Sequence, residues 1–296
     1  MTLSIAARDP DSGCLGVAVA TAQVAPGTRV LHALAGVGAV AAQAESDLEF
    51  GERILALLGG GSTAGQAVHD LLAEIDPTRV QFGVAAADGS LYAYTGPGCT
   101  VDAGHVQGKT AVAQANMMAS PRVWGAMVHA FETATLDFPA RLVAALAAGE
   151  EAGGDIRGVQ GAALLVVSPR RGDAFTAWFW DENLDLRVDD DDDPVGKLGD
   201  LLNANTAQNL AAAAAHGVTG FPPEVLLALR KAATLAPDDA NTAFNCAIAC
   251  LSNDLPQEAA GYLRAAARRN KNLALRIARL EQPLQEQVVD LLHDFP

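Results

Sequence analysis

Positive charge is scarce in this 296-residue chain: Lys and Arg total 20 against 35 Asp and Glu, for a formal net charge of −15. Such a deficit cannot neutralise a phosphate backbone or an anionic membrane surface, so neither nucleic acid nor membrane is expected as a partner. No apolar run approaches the ~18 residues that would span a bilayer. The opening Met1-Thr2-Leu3-Ser4-Ile5-Ala6-Ala7-Arg8-Asp9 has no basic start followed by an apolar stretch, so no signal peptide is expected. Four cysteines (Cys14, Cys99, Cys246, Cys250) without a Cys-x-x-Cys are too few for a disulfide framework and suit reduced thiols in a cytoplasm. Aromatic residues make up only 5% while half of the chain is hydrophobic, so the core must be built from Ala, Val and Leu.

The length is roughly twice the ~150 residues usual for a domain, which implies one large or two unequal domains. From Leu3 to Gln43 the pattern is β: Leu3 to Arg8, a turn at Asp9-Pro10-Asp11-Ser12-Gly13, then Gly16 to Thr21, Thr28 to Leu34 and Gly38 to Gln43. The turn cluster combines fixed φ at proline with tolerance of positive φ at glycine, which predicts a hairpin. Continuous apolar runs in these strands point to a sheet covered on both faces. Helices follow near Leu48 to Leu58 and Thr63 to Ile75, with Ser62 or Thr63 as N-cap of the second. Strands return at Phe82 to Ala86, Leu91 to Thr95 and Thr110 to Gln114, then helices near Pro121 to Thr133 and Phe138 to Ala148, then strands Ala162 to Val167 and Ala174 to Trp180. Strands, two helices, strands, two helices, strands is the order of an α+β chain in which two sheets lie between two helical layers, or of a single sheet with helices on one side.

At the aspartate run Asp189 to Asp193 the character changes, and everything beyond it is Ala/Leu-rich and helical. The boundary is placed there, giving domains 1–194 and 195–296. In the second, Leu229 and Leu263 are 34 residues apart, as are Ala232 and Ala266. Segments Ala243 to Cys250 and Glu258 to Leu263 alternate small and large residues as tetratricopeptide repeats do, so the tail resembles one to two such helical hairpins, with a plain helical bundle as the simpler alternative. So short an array is expected to need a partner surface, on the first domain or on a second copy of the chain.

Thr2 is the position with the most chemistry. A hydroxyl is a poor nucleophile until a base removes its proton, and a threonine at a chain terminus carries a base on its own Cα. That amine, with pKa near ~7.7–8, is largely neutral at cytoplasmic pH. Methionine before a small residue is usually trimmed; while Met1 remains attached, Thr2 has no free amine.

Motifs in register along the first domain extend this reading. They are Met1-Thr2-Leu3-Ser4-Ile5-x-Ala7-Arg8-Asp9-Pro10, Leu15 to Ala20, Ala35 to Ala44, Thr95-Gly96 with Cys99, Ala103-Gly104-His105, Asn116-Met117-Met118-Ala119, Gly149-Glu150-x-Ala152-Gly153-Gly154-Asp155 and Leu186 to Asp190. Together they resemble domain-of-unknown-function family 1028, a family of the N-terminal nucleophile hydrolase type, over about residues 1–201. The resemblance implies a four-layer αββα sandwich followed here by an all-α hairpin tail, and an amide-bond hydrolase. It makes Thr2 the nucleophile and Asn116 an oxyanion donor, a role worth about 2.7–4 kcal/mol. The substrate would be a small amide or peptide-like molecule, no cofactor or metal would be required, and a homo-oligomer is expected. The chain departs from the family pattern at Ala20-Thr21-Ala22, Ala115 and Asp102, all in the region that would line a cleft. From a different functional class, the alternative is a non-catalytic αββα scaffold with a protein-interaction tail.

Other polar residues carry less. Gln43 closes an apolar strand and Asp47 lies just beyond it; both are candidate substrate-binding groups, with N-capping as the competing role for Asp47. His105 follows a glycine in a loop and is a third candidate, as acid, base or ligand. Cys14, Cys99, Cys246 and Cys250 read as small buried hydrophobes. His32, His69, His129, His216 and His293 lack a second ligand at helical spacing. The aspartate run lacks spaced ligands and a turn glycine and reads as a solvated linker that Arg187 can pair with. A metal enzyme built on His105 and the aspartates is a third reading. Gly59-Gly60-Gly61 and Gly149 to Gly158 stand in no phosphate-binding context.

Overall fold

A computed structural model describes residues 2–170, 183–215 and 223–293. Contacts divide the described residues into two compact units, the first running to Gly199 and the second from Asp200. The described residues hold two antiparallel sheets and eleven helices.

In the first unit the strands are β1 (Thr2–Arg8), β2 (Leu15–Thr21), β3 (Leu31–Leu34), β4 (Gly38–Ala44), β5 (Val80–Ala86), β6 (Leu91–Thr95), β7 (Gly104–Gln107), β8 (Ala111–Asn116), β9 (Gly161–Val167) and β10 (Leu184–Val188). Six form one sheet in the order β10-β9-β2-β1-β8-β7, and four form the other in the order β3-β4-β5-β6. Helices α2 (Leu48–Gly59) and α3 (Ala64–Leu72) lie against the smaller sheet; α4 (Val123–Thr133) and α5 (Phe138–Glu151) lie against the larger one.

The period of two along each strand explains the layering. On β5, Val80, Phe82, Val84 and Ala86 pack with Ile54, Leu58, Val68 and Leu71 of the helices. The alternate residues Gln81, Gly83 and Ala85 face the other sheet. Ala85 meets Ala39 and Ala41 of β4 and Ala6, Val17, Val19 and Val112 of the larger sheet. Among the described residues no aromatic side chain belongs to that inter-sheet core. The 5% aromatic content therefore leaves small aliphatic side chains to fill the narrow space between two sheets.

The β1–β2 turn forms as its residues predict. Asp9 Oδ2 accepts from the backbone N–H and the hydroxyl of Ser12 (3.1 and 2.6 Å), and Gly13 takes φ +78°. Arg141 of α5 closes the turn with a 2.6 Å bond to Asp9 Oδ1, its guanidinium 4.8 Å from the centre of the Phe131 ring. Thr63 caps α3 in a capping box with Gln66.

Four expectations are corrected. Residues 28–34 are not one strand: the proline φ of −68° at Pro26 starts a single helical turn, α1 (Gly27–Val30), before β3. Asn116 ends β8 rather than following it, and His105 stands on β7 rather than in a loop. Arg187 forms its ion pair with Asp185 on its own strand at 2.7 Å, and of the aspartate run only Asp189 reaches it, through charge alone. That run is tied down: Asp193 Oδ1 accepts the Gly196 N–H at the start of α6 (Pro194–Ala215), and Gln160 bonds Asp190 and Asp191. The strand expected at Ala174 to Trp180 lies outside the described residues.

The second unit is helical: α7 (Pro223–Leu235), α8 (Ala240–Leu251), α9 (Pro256–Arg269), α10 (Leu273–Ile277) and α11 (Leu284–His293). Asp239 caps α8 by accepting the Thr242 N–H at 2.8 Å. Leu229, Phe244, Ala247, Leu263 and Ile277 share one core, and a two-armed bond from Arg230 to Glu258 (2.8 and 2.6 Å) ties α7 to α9. Leu229 and Ala232 of α7, and Leu263 and Ala266 of α9, are all buried.

Candidate active site

Thr2 opens β1 and is 5% exposed. Its parity along the strand is that of Ser4 and Ala6, so its side chain faces the smaller sheet. Across one flank it pairs in register with Asn116, the last residue of β8. On the other flank stands Thr21, the last residue of β2, and the Thr2 hydroxyl donates to the Thr21 hydroxyl at 3.3 Å. The three strand ends are adjacent because β1 is the middle strand of the trio β2-β1-β8.

Behind Thr2 lies a chain of buried, uncharged polar side chains. Gln43 Nε2 donates to the Thr2 carbonyl (3.1 Å) and to Gln81 Oε1 (2.6 Å). Asn116 Nδ2 donates to the same Gln81 oxygen at 2.8 Å. Gln81 Nε2 reaches the Ala115 carbonyl (3.0 Å), the Gly104 carbonyl (3.2 Å) and the Thr95 hydroxyl (2.9 Å). At the other end, Gln114 Nε2 donates to Ser4, whose hydroxyl donates to Gln43 Oε1, both at 2.6 Å. β1, β4, β5 and β8 each carry one or two such residues into the inter-sheet layer where apolar ones would otherwise stand. A buried amide must be hydrogen-bonded to be tolerated there. Gln114 Oε1 alone in this group has no partner among the described residues.

Past this layer the strands stop. Ala44 after Gln43 and Met117 after Asn116 both take positive φ, 68° and 60°. The segment after α5 runs alongside the same ends: Ala119 N–H bonds the Gly154 carbonyl, Ile156 N–H bonds the Met117 carbonyl, and Gln160 N–H bonds the Thr21 carbonyl.

A family model described as a family of unknown function, DUF1028, matches residues 2–198. The chain belongs to the DUF1028 family. A crystal structure of a DUF1028 protein from Silicibacter pomeroyi is similar at 32% identity and a TM-score of 0.62, over 69% of this chain and 89% of that one. No curated protein matches the sequence.

Within this DUF1028 chain the five residues singled out from sequence fall in different places. Thr2 and Asn116 are brought side by side, and Gln43 touches both Thr2 and the group that holds Asn116. His105 joins at one remove: its Nδ1 lies 2.8 Å from the Thr95 hydroxyl, which Gln81 bonds. It sits on an exposed strand face, and such desolvation as it meets lowers its pKa. Asp47 is not part of the group; it is exposed at the N-cap of α2, and its side chain accepts no capping bond. Sequence reading missed Ser4, Gln81, Gln114, Thr21 and Thr95. The available signal was a lone uncharged polar residue inside an apolar run, as in Val80-Gln81-Phe82 and Ala113-Gln114-Ala115.

Burial works against thiolate formation at three of the cysteines. Burial raises the Cys99 thiol, and it pushes Cys246 up to about 12 and Cys250 up to about 11. Among the described residues no three of His, Cys, Asp and Glu come together in a group that can hold a metal ion, and no helix is long and apolar enough to cross a membrane.

Glu150 is the one strongly displaced carboxyl. Burial, and then the neighbouring Asp155, push it up to about 7, and its Oε1 is buried without a partner among the described residues. The folded value exceeds the ordinary 4.5, so the stability it confers is complete below about pH 4.5 and is lost as pH rises through 7. Glu150→Gln is therefore expected to stabilise the chain at pH 8 by about 1–2 kcal/mol, solvent screening included, and to change little at pH 4. Thermal melts of both proteins across that range check it.

Proposed function

We propose that the chain is an amide-bond hydrolase of the N-terminal nucleophile type, with its two sheets and flanking helix pairs forming the αββα sandwich of that class. The observation that carries this reading is the placement of the Thr2 hydroxyl at the end of a buried central strand, in register with the amide of Asn116. Removal of Met1 gives Thr2 a free α-amine. That amine takes the Oγ1 proton as Oγ1 attacks the substrate carbonyl carbon, and Asn116 Nδ2 donates to the oxyanion. Collapse returns the proton to the leaving amine and leaves an ester on Thr2. Water, deprotonated by the same amine, then releases the acid. Nucleophile, base and oxyanion donor are all protein groups, so the reaction requires no metal or cofactor. The substrate is a small amide or peptide-like molecule of the cytoplasm, and the helical second unit, tetratricopeptide-like in pattern, serves homo-oligomer or partner contact.

The test is p-nitrophenyl acetate as a generic acyl donor. Attack by Oγ1 expels p-nitrophenolate and leaves an acetyl group on Thr2, as the ester or, after migration, as the amide of its own amine. Intact mass reads both the loss of Met1 and the gain of one acetyl, and peptide mapping locates it. The base is active only when neutral, so labelling is expected to rise with pH through about 8 and then level off. A protein that retains Met1 and takes no label on Thr2 sinks the reading. One observation favours the scaffold alternative: Thr2 and Asn116 are only 5% and 2% exposed, which leaves a carbonyl little approach.

A further inference from the structure

Hydrogen-bond direction in the buried chain is fixed by groups that can act in one way only. Gln81 holds an amide edge against two main-chain carbonyls, Ala115 O at 3.0 Å and Gly104 O at 3.2 Å, and carbonyls only accept. The edge facing them is therefore Nε2, and the opposite edge, facing Gln43 and Asn116, is the oxygen. An oxygen without hydrogen can only accept, so both neighbours must present nitrogen to it, Gln43 at 2.6 Å and Asn116 at 2.8 Å. Gln43 is checked independently, since its nitrogen also meets the Thr2 carbonyl at 3.1 Å. The orientation of Asn116 has no such second check: among the described residues Gln81 is the partner of its amide.

We infer that Gln81 is a positioning residue for the Thr2 site: it locks the Asn116 amide with Nδ2 inward, leaving the second Nδ2 hydrogen to bond the oxyanion. This inference rests on the nucleophile reading above and names what sets its oxyanion donor. With the amide turned over, Asn116 Oδ1 would face Gln81 Oε1 at 2.8 Å, oxygen against oxygen, and would present no donor of its own to that partner. Gln81 touches no substrate atom; it acts through Asn116, and that predicts a specific pattern of coupling.

The experiment is a double-mutant cycle on the rate of Thr2 acetylation by p-nitrophenyl acetate, read by intact mass in the full chain. Asn116→Ala is expected to slow the wild-type rate by about 10²–10³-fold. Gln81→Met, which matches the side chain in length but neither donates nor accepts comparably, is expected to slow it by at least about tenfold. The double mutant is expected to be no slower than Asn116→Ala alone. A wild type that neither holds an acetyl on Thr2 nor releases p-nitrophenolate faster than Thr2→Ala overturns the nucleophile reading and this inference with it. A labelled wild type together with Gln81→Met at the wild-type rate, or with losses that multiply in the double mutant, overturns this inference alone. A measurement on the wild type covers the case in which Gln81→Met does not fold. In protein labelled with ¹⁵N-asparagine, the two Nδ2 protons of Asn116 are expected to exchange with solvent at rates differing by about tenfold or more, the slower being the one bonded to Gln81. Equal rates would overturn the inference.

Discussion

Thr2→Ala is expected to leave only the slow direct acetylation of amines, the α-amine of residue 2 included, slowing acetyl gain at residue 2 by about 10²-fold or more, whereas Thr2→Ser is expected to keep it within about tenfold because the hydroxyl and the α-amine both remain. The contrast is what gives the experiment its force. Alanine at position 2 still allows Met1 to be trimmed, so the amine is present in both variants and only Oγ1 differs. The packing change is small as well, because the Thr2 side chain spends its hydroxyl on a single 3.3 Å bond to Thr21, a weak one by length. Melting temperatures of the three proteins are therefore expected to agree within a few degrees while their labelling separates by orders of magnitude. If alanine at position 2 is labelled as fast as threonine, the acetyl is going directly to the α-amine, to lysines or to another surface group, and the nucleophile reading fails.

The strands that the sequence made legible are those whose residues are buried on both faces. β1, β2 and β5 carry seven-residue runs in which six or seven positions are buried, and nothing competes with an extended reading of Leu-Gly-Val-Ala-Val-Ala-Thr. β7 and β10 are the edge strands of the larger sheet, and both are short and half exposed, alternating partly buried with exposed residues. Gly-His-Val-Gln and Leu-Asp-Leu-Arg-Val have little in composition to separate them from loop, because half of each faces water and the pairing partner is far off in sequence. α1 was hidden for a different reason: Thr28, Val30 and Leu31 favour strand locally, and Pro26 decides the matter by fixing one turn of helix first.

The site is legible in sequence at its two ends and at Gln43, which bonds the Thr2 carbonyl and Gln81. Thr2 follows from chemistry and Asn116 from resemblance, whereas Gln81 and Gln114 stay hidden because a glutamine in an apolar run looks like an interruption. Gln81 and Gln114 make sense only once β5 and β8 are known to face one another across the inter-sheet layer, 34 positions apart where the Gln81 amide meets the Ala115 carbonyl. Asp47 misled in the opposite sense. Three residues beyond the strand end it is near the site in sequence, yet positive φ at Ala44 ends the strand and Asp47 lies exposed at the start of α2.

Gly83 exposes how tightly that layer is built. It lies on β5 between Phe82 and Val84, facing the larger sheet, and a Cβ built on it would come 2.0 Å from Gln114 Oε1, 2.4 Å from Nε2 and 2.5 Å from Cδ. Those distances are well inside contact, so Gln114 would have to leave its place. It has nowhere to go at low cost: it is fully buried, and its Nε2 anchors the chain through Ser4 to Gln43. Displacing it breaks a 2.6 Å bond and strands the Ser4 acceptor in an enclosed layer. Keeping it in place instead pushes the two sheets apart, loosening the Ala and Val contacts of Ala85, Ala41 and Val112 beyond it. Either route is expected to destabilise Gly83→Ala by about 1–3 kcal/mol, through an unsatisfied polar group in the first case and overpacking in the second, even though alanine suits a strand no worse than glycine does. Urea unfolding of the two proteins measures it. A companion Gly83→Ala, Gln114→Ala double variant separates the causes: if the clash with the amide is what matters, the second substitution makes room and recovers part of the loss, whereas a double variant as unstable as the sum of the two single ones would show that the sheets themselves refuse the extra methyl group.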